Sequence, residues 1–312
     1  MYKIGIVGAG IIGKDYSDVI MKNKDCEVSA VCDTVCERAE EIALLHNAKC
    51  FTDYKIMAEN VQLDAVILNL PHFLHKEASV YFLEKGINVL LEKPMAMNTA
   101  ECDAIMEAAS RSTAKIAVGH LQRYFSAYDE VKKILDEGTF GKLCMITEVR
   151  NVNYLPNRPK WFLDKRLSGG GIVMNYGAHT LDKIMYVTGD TVEEAQGYLA
   201  NPLSSDNVEI NAQLLMKLKG GASVSITYCG CPGAGGYETV FYFEKGVVKV
   251  DGGVRVFLSE NGEFLPAVTK NSNALARQFD DFVKLLKGEE TNIVTPEYGR
   301  EIIRVLEGVL RD

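Results

Sequence analysis

The sequence predicts an α/β protein: an N-terminal Rossmann domain with a doubly wound parallel sheet, followed by an α+β domain on a large open, mainly antiparallel sheet. Three observations predict it. A short apolar strand at the start runs straight into Gly8-x-Gly10-x-x-Gly13. Apolar runs alternate with helical periodicities up to about residue 120, which is the grammar of a parallel sheet covered on both faces. Beyond Arg123 that alternation gives way to successive strands joined by glycine-bearing turns. The expected division is 1–121 and 122–312.

In the first half, strands are expected at Ile4–Val7, Val28–Cys32, Ala65–Leu70, Val89–Leu91 and Ile116–Val118, with a short sixth at Lys49–Phe51. The helix after the glycines carries Ile12, Tyr16, Val19 and Ile20 on one face. Asn98, followed three residues later by Glu101, opens another helix as a capping box. The second half starts with a helix near Tyr128–Glu137 and a strand around Leu143–Tyr154, then a loop with Pro156 and Pro159. A glycine-led helix runs from Gly171 to about Val187. Hairpin signals stand at Lys219-Gly220-Gly221, Lys245-Gly246, Gly252-Gly253 and Asn261-Gly262. Ser223 to Tyr228 alternates polar and apolar, so one sheet face is polar and open to substrate, solvent or a second subunit. Two helices close the chain, near Asn273–Leu286 and Pro296–Leu310.

The 312 residues suffice for two domains with sizeable cores. A net charge of −8 without a Lys/Arg run argues against nucleic acid as a partner. No apolar stretch approaches the length of a membrane span. Eight scattered cysteines without a CxxC pair predict no metal site and a reduced, cytoplasmic setting.

The glycine pattern asks for a dinucleotide. Gly8 permits the tight turn, Gly10 lets the backbone approach a pyrophosphate, and Gly13 lets the helix sit close to the sheet. The N–H groups around Ile11 and Ile12 then face the phosphates. Asp33 ends the second strand, twenty positions after Gly13, where a carboxylate accepts from the adenosine ribose hydroxyls. That charge repels a 2′-phosphate and favours NAD. Arg38, five residues on, keeps NADP open.

Ligands of open α/β sheets bind outside the carboxyl ends of the strands. Leu70, Pro71, His72 and His75 follow one such end, and Glu92-Lys93-Pro94 follows another. Lys93 there can bind a substrate oxygen and stabilise negative charge on it. A cis bond before Pro94 would re-aim that lysine. His120 closes the last Rossmann strand, with Arg123 and Tyr124 beside it, and His120 and Arg123 are candidate substrate contacts. Ser168 to Asp182 holds three consecutive glycines, which would let the chain pass close to a ligand, and then Asn175, His179 and Asp182 at helical spacing. His179 is the best general base in the chain, because imidazole titrates near neutrality. Asn175 is placed to orient a hydroxyl. Asp182 either holds the imidazole or satisfies backbone groups. Trp161, the only tryptophan, is a candidate cover for nicotinamide or substrate. Asn151, Asn153, Tyr154, Arg158 and Tyr228 are candidate substrate contacts.

Together these segments resemble the Gfo/Idh/MocA oxidoreductases, the glucose–fructose oxidoreductase and inositol dehydrogenase family. The resemblance runs nearly end to end through the glycine fingerprint, Pro71…His75, Glu92-Lys93-Pro94, Gly119-His120-x-x-Arg123, Gly138-x-x-Gly141, Trp161…Gly169-Gly170-Gly171 and Gly177-x-His179-x-x-Asp182. It implies reversible hydride transfer between NAD(P) and a hydroxyl or carbonyl of a sugar, cyclitol or nucleotide-sugar, with Lys93 and His179 on catalytic positions. It also implies a homodimer or homotetramer through the C-terminal sheet. One position departs: inositol dehydrogenase-like members carry an aspartate where this chain has Asn175. Asparagine cannot take a proton, so His179 acts without that carboxylate. Two alternatives within the same fold are a glycosidase that uses NAD transiently and a non-enzymatic dinucleotide-binding sensor.

Overall fold

The computed structural model describes residues 1–311 except Asn157, Ala234, Val268, Lys270 and Asn271. By contact the chain forms two compact units, residues 1–120 with 275–301 and residues 121–274 with 302–312.

The first unit holds six parallel strands: β1 (Tyr2–Val7), β2 (Cys26–Cys32), β3 (Lys49–Phe51), β4 (Ala65–Leu68), β5 (Asn88–Glu92) and β6 (Ile116–Gly119). Their order is β3-β2-β1-β4-β5-β6. The connections reverse direction between β1 and β4, where an open α/β sheet takes its ligand. Helices α1 (Ile11–Lys22), α2 (Cys36–His46), α3 (Tyr54–Asn60), α4 (His75–Glu84) and α5 (Thr99–Ser110) link them. On α1, Gly13, Tyr16, Ser17, Val19 and Ile20 are buried, whereas Ile12 is 41% exposed. The packed face is therefore rotated toward Gly13, away from the Ile12 that the sequence placed on it. At α5 the Asn98 side chain accepts from the Glu101 N–H at 2.9 Å, and Glu101 accepts in turn from the N–H of Met97 at 3.1 Å.

The late segment differs from the expected division. Helix α9 (Ala274–Lys287) puts Phe279, Phe282 and Val283 into the same core as Ile4, Ile6, Tyr16 and Ile20. Val294 bridges to Val118 on β6. Burying two phenylalanines stabilises by roughly 2–3 kcal/mol each, enough to fix which sheet this helix covers. Helix α10 (Pro296–Arg311) is shared between the units at residues 301 and 302.

The second unit carries α6 (Ser126–Asp136), α7 (Lys165–Ser168) and α8 (Ala178–Thr188) with eight strands. These are β7 (Leu143–Asn151), β8 (Val192–Ala200), β9 (Asn211–Leu218), β10 (Ser223–Cys229), β11 (Gly236–Phe243), β12 (Val247–Asp251), β13 (Arg255–Ser259) and β14 (Leu265–Ala267). They form one sheet in the order β14-β13-β12-β11-β7-β10-β9-β8, antiparallel except where β7 meets β10. The period-2 pattern assigns the faces. Val224, Ile226 and Tyr228 of β10 and Ile146, Glu148 and Arg150 of β7 are buried. On the opposite face Ser223 and Gln213 are exposed, together with Met145, Val149, Tyr198 and Leu215. Among the described residues no helix is long and apolar enough to cross a membrane.

Candidate dinucleotide and substrate sites

The glycine loop of the first unit leaves β1 and enters α1. Gly8 has φ +94°, and a Cβ there would collide with the carbonyl oxygen of Asn69. A Cβ on Gly13 would collide with the carbonyl of Gly8. Both glycines are demanded by packing of the protein against itself. Gly10 is different: a Cβ built on it meets nothing within 4 Å, so its bareness leaves open room at the helix start. Gly10 caps α1 without a side-chain hydrogen bond, so the first N–H groups have no side-chain acceptor from the cap and suit phosphate oxygens. Ile11, at 81% exposure, stands at the same end.

Asp33 supports this loop as well as facing outward. One carboxylate oxygen accepts from the Ala9 N–H at 2.8 Å and the other from the Val35 N–H at 2.9 Å. Each oxygen keeps a second lone pair for a ribose hydroxyl. Arg38 is exposed on α2. The cradle thus fits a dinucleotide: space at Gly10 for pyrophosphate, helix N–H groups, and a fixed carboxylate at the β2 end.

Two loops away lies the Lys93 turn. The peptide bond between Lys93 and Pro94 is cis. Leu70 and Pro71 leave β4, and His72 is buried in the short turn that follows. His75 has no exposed surface, and its two ring nitrogens lie 2.7 Å from the Pro94 carbonyl and 2.8 Å from the Leu70 carbonyl. Burial lowers its pKa, with the charge of Lys93 adding to that and the two carbonyls opposing it. The sequence placed His75 along the cofactor crevice. In the structure it ties the β4 exit loop to the turn that carries Lys93. Beside the lysine, Glu92 accepts from the Lys93 N–H at 3.2 Å and lies 3.1 Å from the Tyr16 hydroxyl. That hydroxyl donates to Gln278 on α9 at 2.6 Å. Burial raises the Glu92 pKa, against the pull of Lys93 and Tyr16. His120 is buried at the end of β6.

In the second unit the expected helix from Gly171 is interrupted. Val173–Gly177 forms a π-turn before α8 begins at Ala178. The i→i+5 turn lies between Gly171 and α8, a departure from the continuous α-helix expected there. Asn175 is 6% exposed, His179 is half-buried, and Asp182 is wholly buried. Asp182 accepts from Arg123 through both Nε, at 2.9 Å, and Nη2. Arg123, expected on substrate, is therefore held in a buried ion pair, with its guanidinium 5.0 Å from the Tyr186 ring centroid. Tyr154 is buried edge-on to Tyr176, with Asn175 beside its hydroxyl, and burial raises its pKa. Trp161 is half-buried and stacked on Phe162 at 3.9 Å.

The three glycines, expected to let the chain pass close to a ligand, are tied to the protein's own packing. Gly169 ends α7 in the left-handed region, at φ +79°. A Cβ on Gly170 would press Leu310 and Met174, and one on Gly171 would overlap the Glu209 backbone. The Glu209 carboxylate takes the N–H groups of Gly171 and Val173 at 2.8 and 2.9 Å, closing that helix start. Burial raises the Glu209 pKa against those two bonds.

A buried polar network under Tyr176 went unread in the sequence. Glu148 accepts from Lys183 at 2.8 Å, from Thr239 at 2.9 Å and from Thr180, which itself accepts from Tyr228 at 2.7 Å. Burial pushes the Glu148 pKa up, but Lys183 and Arg150 more than offset it, and the net shift is downward. The signal was present: Ile146-x-Glu148-x-Arg150 puts two charges on the face of β7 that its apolar residue marks as inward. Among the described residues no group of three or more His, Cys, Asp or Glu is placed to hold a metal ion.

Comparison with known proteins follows the same two units. Residues 2–120 match the profile described as oxidoreductase family, NAD-binding Rossmann fold, and residues 128–249 match the C-terminal domain of the same family. The 2,7-anhydro-N-acetylneuraminate hydratase of Mediterraneibacter gnavus is 27% identical over 191 residues, 61% of this chain and 50% of that protein. Inositol 2-dehydrogenase of Salmonella typhimurium is 31% identical over 148 residues, 46% of this chain and 44% of that one. The chain thus spans about half the length of these curated relatives. The WlbA dehydrogenase of Bordetella pertussis, solved with NADH and UDP-GlcNAcA, superposes with a TM-score of 0.87 at 22% identity, over 99% of this chain and 94% of that chain. Both units carry the signature of one family, and the chain belongs to the Gfo/Idh/MocA family, with its NAD-binding Rossmann fold followed by the family's C-terminal domain.

Proposed function

We propose that this chain is an NAD(P)-dependent oxidoreductase that moves a hydride between nicotinamide and a hydroxyl or carbonyl of a sugar, cyclitol or nucleotide-sugar. The observation that carries this reading is the Lys93 turn, fixed by His75 and Glu92 on the same carboxyl edge of the sheet as the glycine loop and Asp33. Residues 8–13 and 33 would hold the dinucleotide, which when bound supplies the hydride acceptor. Lys93 donates a hydrogen bond to the substrate oxygen and stabilises negative charge on it. His179 takes the hydroxyl proton. Asn175, with no proton to exchange, orients the hydroxyl. Asp33 favours NAD over NADP.

Replacing Lys93 by Met tests the assignment. The expected result is a fall in kcat/KM of about 10² or more with NADH binding retained. Undiminished turnover of every active substrate would refute it. A suitable first screen offers sugars, cyclitols and nucleotide-sugars with NAD and with NADP, read by NADH absorbance. A redox-neutral variant has support from the relative named as a hydratase. Its mark is substrate conversion without accumulating NADH. The exposed Met145, Val149, Tyr198 and Leu215 support assembly into a homodimer or homotetramer through the outer sheet face, to be checked by light scattering.

A further inference from the structure

The charges around Tyr176 do not balance. Besides the Arg123–Asp182 pair, the cations Lys183, Arg150 and Arg158 are grouped around Tyr176 and Glu148. Lys183, without exposed surface, pairs with Glu148 at 2.8 Å. Arg150, at 4% exposure, has among the described residues only that same Glu148 carboxylate, 4.0 Å from its Nε, and this Nε has no hydrogen-bond acceptor there. Its guanidinium otherwise rests on rings, 3.8 Å from the centroid of Tyr237 and 4.8 Å from that of Tyr176, with one bond to Gln122 at 3.3 Å. Arg158 has no carboxylate within 4.0 Å among the described residues. It donates through Nε to the Tyr154 carbonyl and through Nη2 to the Tyr176 hydroxyl, both at 3.1 Å, and is half-exposed. Another acid of this unit, Glu209, is occupied by the N–H groups of Gly171 and Val173.

One carboxylate thus serves two buried cations, and a third cation beside them has none. Withdrawing an uncompensated guanidinium from water is costly, and a planar donor fork is matched by an oxyanion. Tyr176 joins both arginines and immediately follows Asn175 in the chain.

We infer that the substrate is an acidic sugar, whose carboxylate or phosphate is received by Arg158 at Tyr176, with Arg150 supplying the deeper positive field. This rests on the oxidoreductase reading above and narrows its substrate class. Arg158, within reach of solvent, makes the direct contact. The buried Arg150 acts by charge.

Matched pairs test it: glucose with glucuronate, glucose with glucose 6-phosphate, and UDP-glucose with UDP-glucuronate. Binding to the NADH-loaded protein is measured by calorimetry, and turnover by absorbance. The expected result is that one acidic member binds at least about 10-fold tighter than its neutral partner, and that Arg158→Gln removes this preference while NADH affinity is unchanged. Arg158→Lys should restore part of it. If glucuronate binds, the anion is a carboxylate. If only glucose 6-phosphate binds, it is a phosphate. Neutral sugars binding as well as acidic ones, or an acid preference that survives Arg158→Gln, would overturn the inference. An acid that binds through Arg158 but is not oxidised leaves the inference standing and counts against the dehydrogenase reading instead.

Discussion

His75 Nδ1 lies 2.7 Å from the carbonyl oxygen of Pro94, the residue that follows Lys93. With Nε2 near the Leu70 carbonyl, this imidazole is an internal clamp between two loops at the sheet's carboxyl edge. Substituting His75 by Ala should lower kcat/KM about 10-fold through a looser Lys93, with kcat reduced more than KM is raised. A steady-state comparison checks it, and an unchanged kcat would assign the clamp to stability alone.

Asp33 binds backbone N–H groups of both Ala9 and Val35. Asp33→Ser removes the charge that opposes a 2′-phosphate and keeps a small acceptor. The ratio of kcat/KM for NADP to that for NAD should rise by about 10-fold or more. The melting temperature should fall by a few degrees as the N–H groups lose their carboxylate, an effect of about 1–2 kcal/mol.

Glu92 gives a pH dependence with a definite sign. Its pKa is raised by burial above the ordinary value of 4.5. Between that value and the folded-state one, the native protein binds more protons than the unfolded chain, so stability falls as pH rises. Glu92→Gln should flatten this slope, so that its stability relative to the wild type improves from pH 4.5 upward. Urea titrations across pH 4 to about 8 measure the difference. Parallel curves for the two proteins would contradict it.

At Gly171 a side chain has no room, since its Cβ would overlap the Glu209 backbone. Gly171→Ala is expected to destabilise by about 3 kcal/mol or more by displacing the π-turn that holds Asn175. Chemical denaturation gives the stability loss. NADH binding, which belongs to the first unit, should be unchanged.

Much of the first unit was legible because local rules govern it. The strand before Gly8, the acid at Asp33 and the cap at Asn98 each follow from a few neighbouring residues, and the strands lie where the apolar runs are. Glu92-Lys93-Pro94 at a strand end is likewise visible in the sequence alone. The second unit was legible as a strand pattern, though the face read as polar from Ser223 to Tyr228 also exposes Met145, Val149, Tyr198 and Leu215. Its interior was not. Asp182 reads as a partner for His179 or for backbone groups when helical spacing is the guide, and in the structure it binds Arg123, fifty-nine residues away. Glu148 and Lys183 are thirty-five residues apart and meet only because β7 and α8 face each other.

By itself the sequence determined the order of elements and the glycine loop with Asp33, and it singled out Lys93, His179 and Asn175 as candidates. Short-range sterics and hydrophobic periodicity are properties of the chain itself. Only the tertiary structure decided that α9 covers the first sheet, that the triple glycine packs against Glu209 and Leu310, and that His75 is a clamp. It alone decided that the arginines near Tyr176 outnumber their carboxylates. Each of these depends on desolvation and on contacts between distant segments, and neither exists until the chain has closed on itself.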